Sequence, residues 1–271
     1  MEDYSVEELD LSNKGITELP DLTRYKNLKK LNCTNNQITY LDNLPLTLKI
    51  LYCSYNKITH LDNLPLTLEI LYCNNNKLIH LDNLPSNLKK LYCTNNQITH
   101  LDNLSLNITF LNCSENKITH LDNLPITLKI LNCSRNQITH LEHLPINLIK
   151  LYCCYNKITH LDNLPLTLEI LDCYENKIIH LDNLPLNLKY LYCSNNQITH
   201  LEHLPLTLEI LFCSYNKITH LENLPFNIIE LNCNNNPFIY DFEPTLENIR
   251  KYNLSLSRMP ATSTICQSAT V

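Results

Sequence analysis

The stretch LKILYCSYNKITHLDNLPLT, residues 48–67, decides the fold, because the chain repeats it with a constant step. Cysteine marks the step most clearly, since it recurs every twenty residues from Cys33 to Cys233. Leucine and asparagine keep fixed offsets from each cysteine, as Leu51 and Asn56 do in this stretch. A constant period of roughly 20 to 29 residues with leucines at these offsets predicts coils that stack into a solenoid, each in contact only with its neighbours.

Twelve repeats can be counted along the chain; the first step between them is 22 residues and the later steps are 20. Around the central leucine and cysteine, as at Leu51 and Cys53, inward apolar residues alternate with variable ones, which is the period-two pattern of a β-strand. The half-coil that follows contains proline, as at Pro65, and is too short for a three-turn helix. The sequence therefore predicts a leucine-rich repeat solenoid with one parallel β-sheet of about twelve strands, an extended or polyproline-like convex side and little helix.

The two ends of the chain depart from the repeat, as the capping of a solenoid requires. Residues 1–27 contain an acidic N-terminus and an irregular insert, and we assign them to an N-terminal cap and the first repeat. Residues 28–242 hold the leucine-rich repeats of 20 residues. Proline in the first turn, acids early and bases late predict a C-terminal capping helix at 243–252. The Ser/Thr-rich segment 253–271 is expected to be a flexible tail.

The charge and the hydropathy of the chain exclude several classes of protein. A formal net charge of −6 argues against nucleic acid as a partner, because phosphate binding needs a basic surface. The acidic N-terminus lacks the apolar core of a secretory signal, and no uninterrupted apolar run approaches the ~18 residues of a membrane span. We therefore expect an intracellular protein that is not secreted and has no transmembrane segment.

Two residue types at fixed positions are expected to have structural roles. Eleven of the thirteen cysteines occupy one inward position. In-register neighbours about 4.8 Å apart hold their side chains parallel, which disfavours disulfides, so we expect buried free thiols in a reducing compartment. The asparagine at the ninth position of the repeats, from Asn36 to Asn236, is expected to bond buried backbone groups in the turn after each strand. Because the chain has one glycine, asparagine must also supply left-handed turns.

Histidine fills one position in nine successive repeats, so its rings are expected to lie in a row about 4.8 Å apart on the flank of the solenoid. Three interpretations stay open: a structural row multiplied by duplication, a pH-sensitive element, or a zinc site of two imidazoles and a carboxylate. The repeats with His143 and His203 are the strongest metal candidates. Since no repeat is singled out as a closed site, we assign no metal ligand and no cofactor. The nine residues are His60, His80, His100, His120, His140, His160, His180, His200 and His220.

The motifs of several enzyme classes are missing from the sequence. Serine and threonine residues are scattered over the repeats, and no histidine is spaced to activate one of them. The phosphate-binding loops of nucleotide-binding proteins need several glycines, whereas this chain has Gly15 alone. The sequence therefore predicts that the protein is not an enzyme and has no catalytic residues.

The string Leu-Pro-x-x-Leu-x-x-Leu-x-Cys-x-x-Asn-x-Ile-x-x-Leu recurs through residues 6–242 and resembles the bacterial-type, 20-residue class of leucine-rich repeat proteins. Effector proteins that Yersinia and Shigella inject into host cells belong to this class. The Asn-, Ile- and Lys-rich composition is most similar to the leucine-rich repeat proteins of giant DNA viruses of amoebae (mimivirus-like). The resemblance implies a curved, right-handed solenoid with the sheet on its concave face. The ubiquitin-ligase domain of Shigella-type members is not expected, because about thirty residues follow the last repeat.

An internal duplication singles out part of the concave face, because residues 147–201 nearly copy residues 47–101. In one repeat the inward Leu71 and Cys73 are unchanged in the second copy, as Leu171 and Cys173, whereas three outward residues differ. The changed pairs are Tyr72 and Asp172, Asn74 and Tyr174, and Asn75 and Glu175. These changes favour a surface adapted to a ligand. The alternative is that exposed positions drift freely and aromatic residues simply suit a strand.

Tyrosine with interspersed acids is the composition of a protein-interaction surface, since aromatic side chains anchor most of the binding energy. We therefore expect the partner to bind the outward residues of the C-terminal half. These residues are Tyr152, Tyr155, Asp172, Tyr174, Glu175, Tyr190, Tyr192, Phe212 and Tyr215.

The expected function is that of a non-catalytic protein–protein interaction scaffold that binds a protein partner on its concave face. If the resemblance to the viral proteins holds, it is a host-directed viral protein in the host cytoplasm. Two alternatives stay open: a structural, spacer or virion-associated protein without a dedicated ligand, and an effector-like adaptor for host ubiquitin or kinase machinery. We expect a monomer that binds neither nucleic acid nor membrane.

Overall fold

The structure, a computed structural model, describes residues 4–82, 84–102 and 104–257. Twelve parallel strands form one sheet in chain order, and each is hydrogen-bonded to its sequence neighbours. The predicted leucine-rich repeat solenoid, with one parallel sheet and little helix, is confirmed. The elements are β1 Glu8–Asp10, β2 Lys30–Asn32, β3 Ile50–Tyr52, β4 Ile70–Tyr72, β5 Lys90–Tyr92, β6 Phe110–Asn112, β7 Ile130–Asn132, β8 Lys150–Tyr152, β9 Ile170–Asp172, β10 Tyr190–Tyr192, β11 Ile210–Phe212, β12 Glu230–Asn232 and the helix α1 Leu246–Ser257. Within the described residues, a helix with the length and apolar character needed to cross a membrane does not occur.

The register of the sheet lines up equivalent residues of successive repeats. In β3 and β4, Ile50 pairs with Ile70 and Tyr52 pairs with Tyr72, without offset. The central leucine of a strand, such as Leu51, is buried, whereas the residues on either side of it are half-exposed on the opposite surface. We call this surface the sheet face: it consists of the outward side chains of β1–β12 and of the turn after each strand. Each sequence position thus forms a row along the solenoid, with steps of about 4.8 Å.

Each coil closes around a core of leucine, isoleucine and cysteine. In the coil of β3, the side chains of Leu51, Cys53 and Ile58 are fully buried. Burial of one leucine or isoleucine side chain stabilises the fold by about 1.5–3 kcal/mol. The opposite half of the coil turns at Pro65, whose carbonyl oxygen accepts a hydrogen bond from the N–H of Leu68 at 3.0 Å. The described repeats contain no helix on this side, as their length and proline predict.

The cysteines form a buried row of free thiols. The Sγ of Cys53 donates a hydrogen bond to the carbonyl oxygen of Tyr72, in the next strand, at 3.3 Å. Burial raises the pKa of the thiols in this row, to about 12 for Cys33 and to about 11 for Cys233. Cys154 lies beside the row and is half-buried, and burial raises the pKa of this thiol too. All cysteines of the described residues are free thiols.

The ninth-position asparagines form the predicted ladder of hydrogen bonds. The Nδ2 of Asn56 donates to the carbonyl oxygens of Cys33 at 2.9 Å and of Cys53 at 3.1 Å. Its Oδ1 accepts a bond from the N–H of Ile38 at 2.9 Å. One side-chain amide thus satisfies buried backbone groups of two coils, groups that are costly to leave unpaired. The same bonds recur in each later repeat through Asn236.

A second ladder, which the sequence analysis did not predict, runs along the opposite side. The Oγ1 of Thr67 donates to the carbonyl oxygens of Leu46 at 2.7 Å and of Leu48 at 2.8 Å in the preceding coil. Asn87 takes over this role in the following coil, since its Nδ2 donates to the carbonyl oxygen of Leu66 at 2.9 Å. The sequence signal is the threonine or asparagine that directly precedes the first leucine of these repeats.

Two turns of the coil use left-handed backbone. One is held by residues such as Asn63, with φ of 58°, and the other directly precedes the ladder asparagine, as at Asn75 with φ of 54°. Asparagine fills most of these positions, as expected for a chain with one glycine. In six coils a tyrosine, glutamate or arginine takes the second position, although left-handed backbone costs such residues about 1–2 kcal/mol. These six are Tyr55, Glu115, Arg135, Tyr155, Glu175 and Tyr215.

The helix α1 caps the C-terminal end of the core. Ile249 is fully buried against the last coils. The Nη2 of Arg250 donates to the carbonyl oxygens of Phe226 and Ile228, each at 2.7 Å. These two carbonyls correspond to the pair that Thr67 binds in the coil of β3. The guanidinium therefore replaces the side chain that a further repeat would supply.

The helix begins and ends later than the predicted 243–252. Thr245 fixes its start, because the Oγ1 of this residue accepts a hydrogen bond from the N–H of Asn248 at 3.2 Å, as an N-cap does. Residues 253–257 continue the helix instead of beginning the flexible tail. The rest of the predicted tail, 258–271, lies outside the described residues.

Replacing Asn136 with alanine is expected to lower the free energy of unfolding by about 1–3 kcal/mol. Its Nδ2 donates to the carbonyl oxygens of Cys113 and Cys133, and its Oδ1 accepts from the N–H of Ile118, so buried backbone groups lose their partner. Urea unfolding measures the loss. Lys157→Ala, at an exposed position of the next coil, is the control, and equal stability of the two variants would contradict the role of the ladder.

Iodoacetamide is expected to leave the eleven cysteines of the buried row unlabelled in the folded protein, because burial keeps them as thiols. Cys154 should be labelled faster than the row and slower than an exposed thiol, since it is half-buried. Cys266, for which the sequence predicts fast labelling, lies outside the described residues. Peptide mass spectrometry reads each position. Uniform labelling before unfolding would disprove the assignment.

Candidate interaction surface

In the N-terminal half, the tyrosines of the sheet face stack on one another. The ring centroids of Tyr52 and Tyr72 are 4.6 Å apart with planes at 7°, and those of Tyr72 and Tyr92 are 4.2 Å apart at 12°. Phe110 extends the series, with its ring centroid 4.6 Å from that of Tyr92. The faces of the Tyr72 ring are therefore covered by the neighbouring rings of the chain itself.

In the C-terminal half, Asp172 interrupts the corresponding row. It pairs in register with Tyr152 of β8 and with Tyr192 of β10, at the place that Tyr72 holds in the first half. Tyr192 meets Phe212 on its other side, edge to face, with centroids 5.3 Å apart and planes at 87°. Between β8 and β10, a carboxylate thus replaces the ring that would continue the stack.

The Asp172 carboxyl group is half-buried between these two strands. Burial raises its pKa, which a hydrogen bond from the N–H of Tyr174 at 3.2 Å opposes. None of the ion pairs in residues 4–82, 84–102 and 104–257 includes Asp172. Burial also raises the pKa values of Tyr152 and Tyr192, and the charge of Asp172 adds to both shifts. Asp172 is thus an acidic group between two tyrosines, and it forms no ion pair with a described residue.

A second cluster lies on the turns that follow the strands. Tyr155 has the guanidinium of Arg135 over its ring at 4.2 Å from the centroid, and its ring meets that of Tyr174 edge to face at 5.2 Å. Arg135 is also 3.9 Å from a carboxylate oxygen of Glu115. Glu175 is exposed on the next turn along. Left-handed backbone occurs at four residues of this cluster, Glu115, Arg135, Tyr155 and Glu175. This backbone conformation is unfavourable for residues other than glycine and asparagine, so the cluster reduces stability.

A groove of about 520 Å³ opens on the sheet face in this half of the chain. Some of its lining residues were predicted from the sequence to bind a partner. These are Asp172, Tyr174, Tyr192, Phe212 and Tyr215. The other lining residues are small and polar and were missed, although they occupy the same outward rows as the predicted residues. They are Ser194, Asn195, Ser214, Asn232, Asn234 and Asn235.

The remaining predicted residues lie beside the groove. Tyr152 borders Asp172 on β8, Tyr155 contacts Tyr174, and Glu175 is exposed on a turn. Tyr190 lies on the other outward row of β10, where its hydroxyl donates to a carboxylate oxygen of Glu209 at 3.2 Å. Five of the nine predicted residues thus line the groove, and the other four lie outside its lining.

The histidine row lies on the flank of the solenoid. The ring centroids of His80 and His100 are 5.1 Å apart, and the Nδ1 of His100 is 2.9 Å from the Oγ1 of Thr99. In the part of the chain that the structure describes, no three or more His, Cys, Asp or Glu residues form a group that could hold a metal ion. His143 and His203 have φ of 55° and 52°, so they stand in for asparagine in a left-handed turn.

A row of exposed aliphatic and aromatic side chains, which was not predicted from the sequence, follows the prolines of the turns, or Ser105 where serine takes the place of proline. One residue of each of nine coils contributes to it, and Ser86 interrupts it. We call it the proline-side row. Its members are Leu46, Leu66, Leu106, Ile126, Ile146, Leu166, Leu186, Leu206 and Phe226, which are 60–89% exposed.

Asp172→Asn is expected to stabilise the protein at pH 7. The pKa of the Asp172 carboxyl is raised in the folded chain. Between the ordinary aspartate pKa and this raised pKa, the folded chain binds more protons than the unfolded chain. The free energy of unfolding therefore falls as the pH rises through that range. The gain should shrink towards about pH 3, where the carboxyl is neutral in both states. Urea unfolding at both pH values measures it. Asp182→Asn, at an exposed position, is the control; a stabilisation of Asp172→Asn that is the same at both pH values would contradict the assignment.

Comparisons with known proteins agree with this fold. The family model for two copies of leucine-rich repeats matches residues 5–46, and the model for a single leucine-rich repeat matches residues 187–206. A search of curated proteins finds no match.

Several solved structures are similar to the chain. YopM from Yersinia enterocolitica WA-314 is 31% identical with a TM-score of 0.74, and the match covers 87% of this chain and 56% of YopM. The functional domain of InlJ from Listeria monocytogenes, which includes a cysteine ladder, is 35% identical with a TM-score of 0.75 over 84% of this chain and 53% of that one. A chain of the LRIM1/APL1C complex is 26% identical with a TM-score of 0.75 over 86% of this chain and 49% of that one.

The chain spans about half the length of each of these three proteins. The resemblance to repeat proteins of giant DNA viruses is not supported by these comparisons. The family models and the bacterial structures, together with the fold, support a leucine-rich repeat protein of bacterial type.

Proposed function

We propose that the chain is a non-catalytic interaction scaffold that holds a protein partner on the sheet face of its C-terminal half. One observation carries the proposal: Asp172 interrupts the tyrosine row and borders an open groove, whereas the equivalent row of the first copy is closed by stacking. A groove lined by aromatic rings and small polar groups is suited to anchoring side chains of a partner.

The comparisons support a protein partner in general terms. Leucine-rich repeat proteins generally act in protein–protein interaction, and one similar chain was solved in the LRIM1/APL1C complex. A solenoid also presents one long continuous surface, which suits a macromolecule better than a small molecule.

The charge distribution favours a basic partner. Residues 136–271 contain eight lysines and arginines against thirteen aspartates and glutamates, whereas the first 135 residues contain thirteen against fourteen. The groove itself contains Asp172 and is flanked by Glu175. Complementary charge accelerates encounter, and the buried aromatic contacts then supply affinity.

A second candidate function is a structural or spacer role without a dedicated ligand. The proline-side row favours it, because a long line of exposed apolar side chains suits lateral association with another surface. The effector-like adaptor role and the intracellular location expected from the sequence stay predictions. The host-directed viral role is also still a prediction, and the comparisons do not support it.

The double variant Tyr174→Ala with Tyr192→Ala is expected to weaken partner binding by more than about 2 kcal/mol, roughly 30-fold in Kd. Both rings line the groove, so their removal takes away two of its four aromatic side chains. A binder selected from a displayed protein library on the immobilised full chain supplies the ligand, and surface plasmon resonance measures its Kd. The matched variant Tyr52→Ala with Tyr92→Ala, in the first copy, should weaken binding much less.

Stability has to be measured for both variants, because the first-copy pair also removes the stacking partners of Tyr72. Each ring contact contributes about 0.5–1.5 kcal/mol. The groove variant also loses two ring contacts, of Tyr174 with Tyr155 and of Tyr192 with Phe212, so both variants should melt at a lower temperature than the unaltered chain. If the first-copy variant loses more binding than the groove variant, or if neither variant loses binding, the partner does not bind in the groove. A chain that selects no binder and self-associates in sedimentation would favour the structural role.

A further inference from the structure

We propose that the interval between Tyr152 and Tyr192, with Asp172 at its base, binds the guanidinium group of an arginine side chain of the partner. The inference rests on the proposed function and names the chemistry of one contact within it. We call this interval the Asp172 slot.

The first copy of the duplication shows what the slot has room for. There the interval between Tyr52 and Tyr92 is filled by the ring of Tyr72, with centroid distances of 4.6 and 4.2 Å to its neighbours. The strands of the second copy pair in the same register. Because aspartate is much shorter than tyrosine, the position above Asp172 can accept one planar group from outside.

The chemistry of the slot selects a planar cation. Aromatic ring faces attract a guanidinium, which stacks on them more readily than an ammonium does. The carboxylate of Asp172 can accept the paired N–H groups of the same guanidinium. This carboxylate is half-buried, belongs to no ion pair of the described residues, and has a pKa raised by burial, so an incoming cation would offset the cost of its desolvation.

The nearby basic residues of the described chain do not pair with the Asp172 carboxylate. Lys150, the cation on the neighbouring strand, lies on the other outward row, in register with Ile170. Arg135 is occupied by the Tyr155 ring and by Glu115. Glu230, whose charge raises the pKa of Tyr192, adds to the negative potential at this part of the sheet face.

The internal duplication adds an independent argument. Relative to Tyr72, the aspartate loses two stacked contacts and places a carboxylate where it is partly desolvated. Both consequences oppose stability, while the inward leucine and cysteine beside this position, Leu71 and Cys73, are kept as Leu171 and Cys173. A residue that is less stabilising than the residue at the same position of the duplicate copy, as Asp172 is compared with Tyr72, is typical of a binding site.

The test is an NMR titration of the full chain carrying ¹³C-labelled tyrosine rings, with Nα-acetyl-arginine methylamide as the probe. We expect saturable shifts of the Tyr152 and Tyr192 ring signals, which Tyr152→Phe and Tyr192→Phe identify. The equivalent citrulline compound, planar but uncharged, should bind at least tenfold more weakly, and the lysine compound should fall between them.

Variants of the slot give opposite predicted outcomes. Asp172→Tyr refills the interval and should abolish the arginine response while raising the melting temperature, so a loss of binding is separated from a loss of folding. Asp172→Asn keeps the space and removes the charge, so it should weaken binding of the arginine compound at least tenfold. Tyr72→Asp should create an arginine-dependent shift at Tyr52 and Tyr92.

Equal responses to the arginine and citrulline compounds, an unchanged response in Asp172→Tyr, or no response in the unaltered chain would overturn the proposal. These results differ from a failure of the proposed function. If a selected binder is lost in Tyr174→Ala with Tyr192→Ala but bound equally well by Asp172→Tyr, the groove binds a partner and the slot does not take its arginine.

Discussion

Every coil of this solenoid depends on one hydrogen-bonding constraint, which is that the turn after each strand buries backbone groups that a side chain has to satisfy. The ladder asparagine meets it, and Asn56 does so for its own coil and the one before. Because a single amide bonds two coils, neighbouring strands are held without offset. The second ladder, from residues such as Thr67, fixes the opposite side of the coil in the same way.

Because the sheet is in strict register, the side chains at one position of the repeat form a row along the solenoid. Each side chain of a row lies beside the equivalent side chains of the neighbouring coils. Where tyrosines follow one another, as from Tyr52 to Tyr92, the rings cover each other's faces and leave little for a ligand. Where one member differs, as at Asp172, its neighbours lose a stacking partner and the carboxyl group gains aromatic walls. Duplication followed by few outward substitutions is therefore sufficient to change the packing of a row, and the proposed binding surface depends on this change.

The C-terminal half keeps several features that reduce stability. Tyr155, Glu175 and Tyr215 have left-handed backbone where asparagine fills the same place in other coils, a cost that the first half also carries at Tyr55, Glu115 and Arg135. The Asp172 carboxyl group is partly desolvated, which raises its pKa. The core beneath these residues is built as in the first half, with a fully buried leucine and cysteine in each coil from β2 to β11. Local departures from an otherwise uniform scaffold are expected at functional sites, because the scaffold has stability to spare there.

The sequence by itself determined the architecture, because period, leucine offsets, proline and asparagine each impose a local condition that recurs in every coil. It also predicted the acidic and aromatic residues that line the groove, since alternation in a strand decides which side chains face out, but it missed the small polar ones. Only the tertiary structure decided which of them act together. Stacking of Tyr72, interruption at Asp172, the Thr67 ladder and the exposure of the proline-side row depend on distances between coils. Those distances arise from packing between residues twenty apart or more, which a linear pattern does not contain.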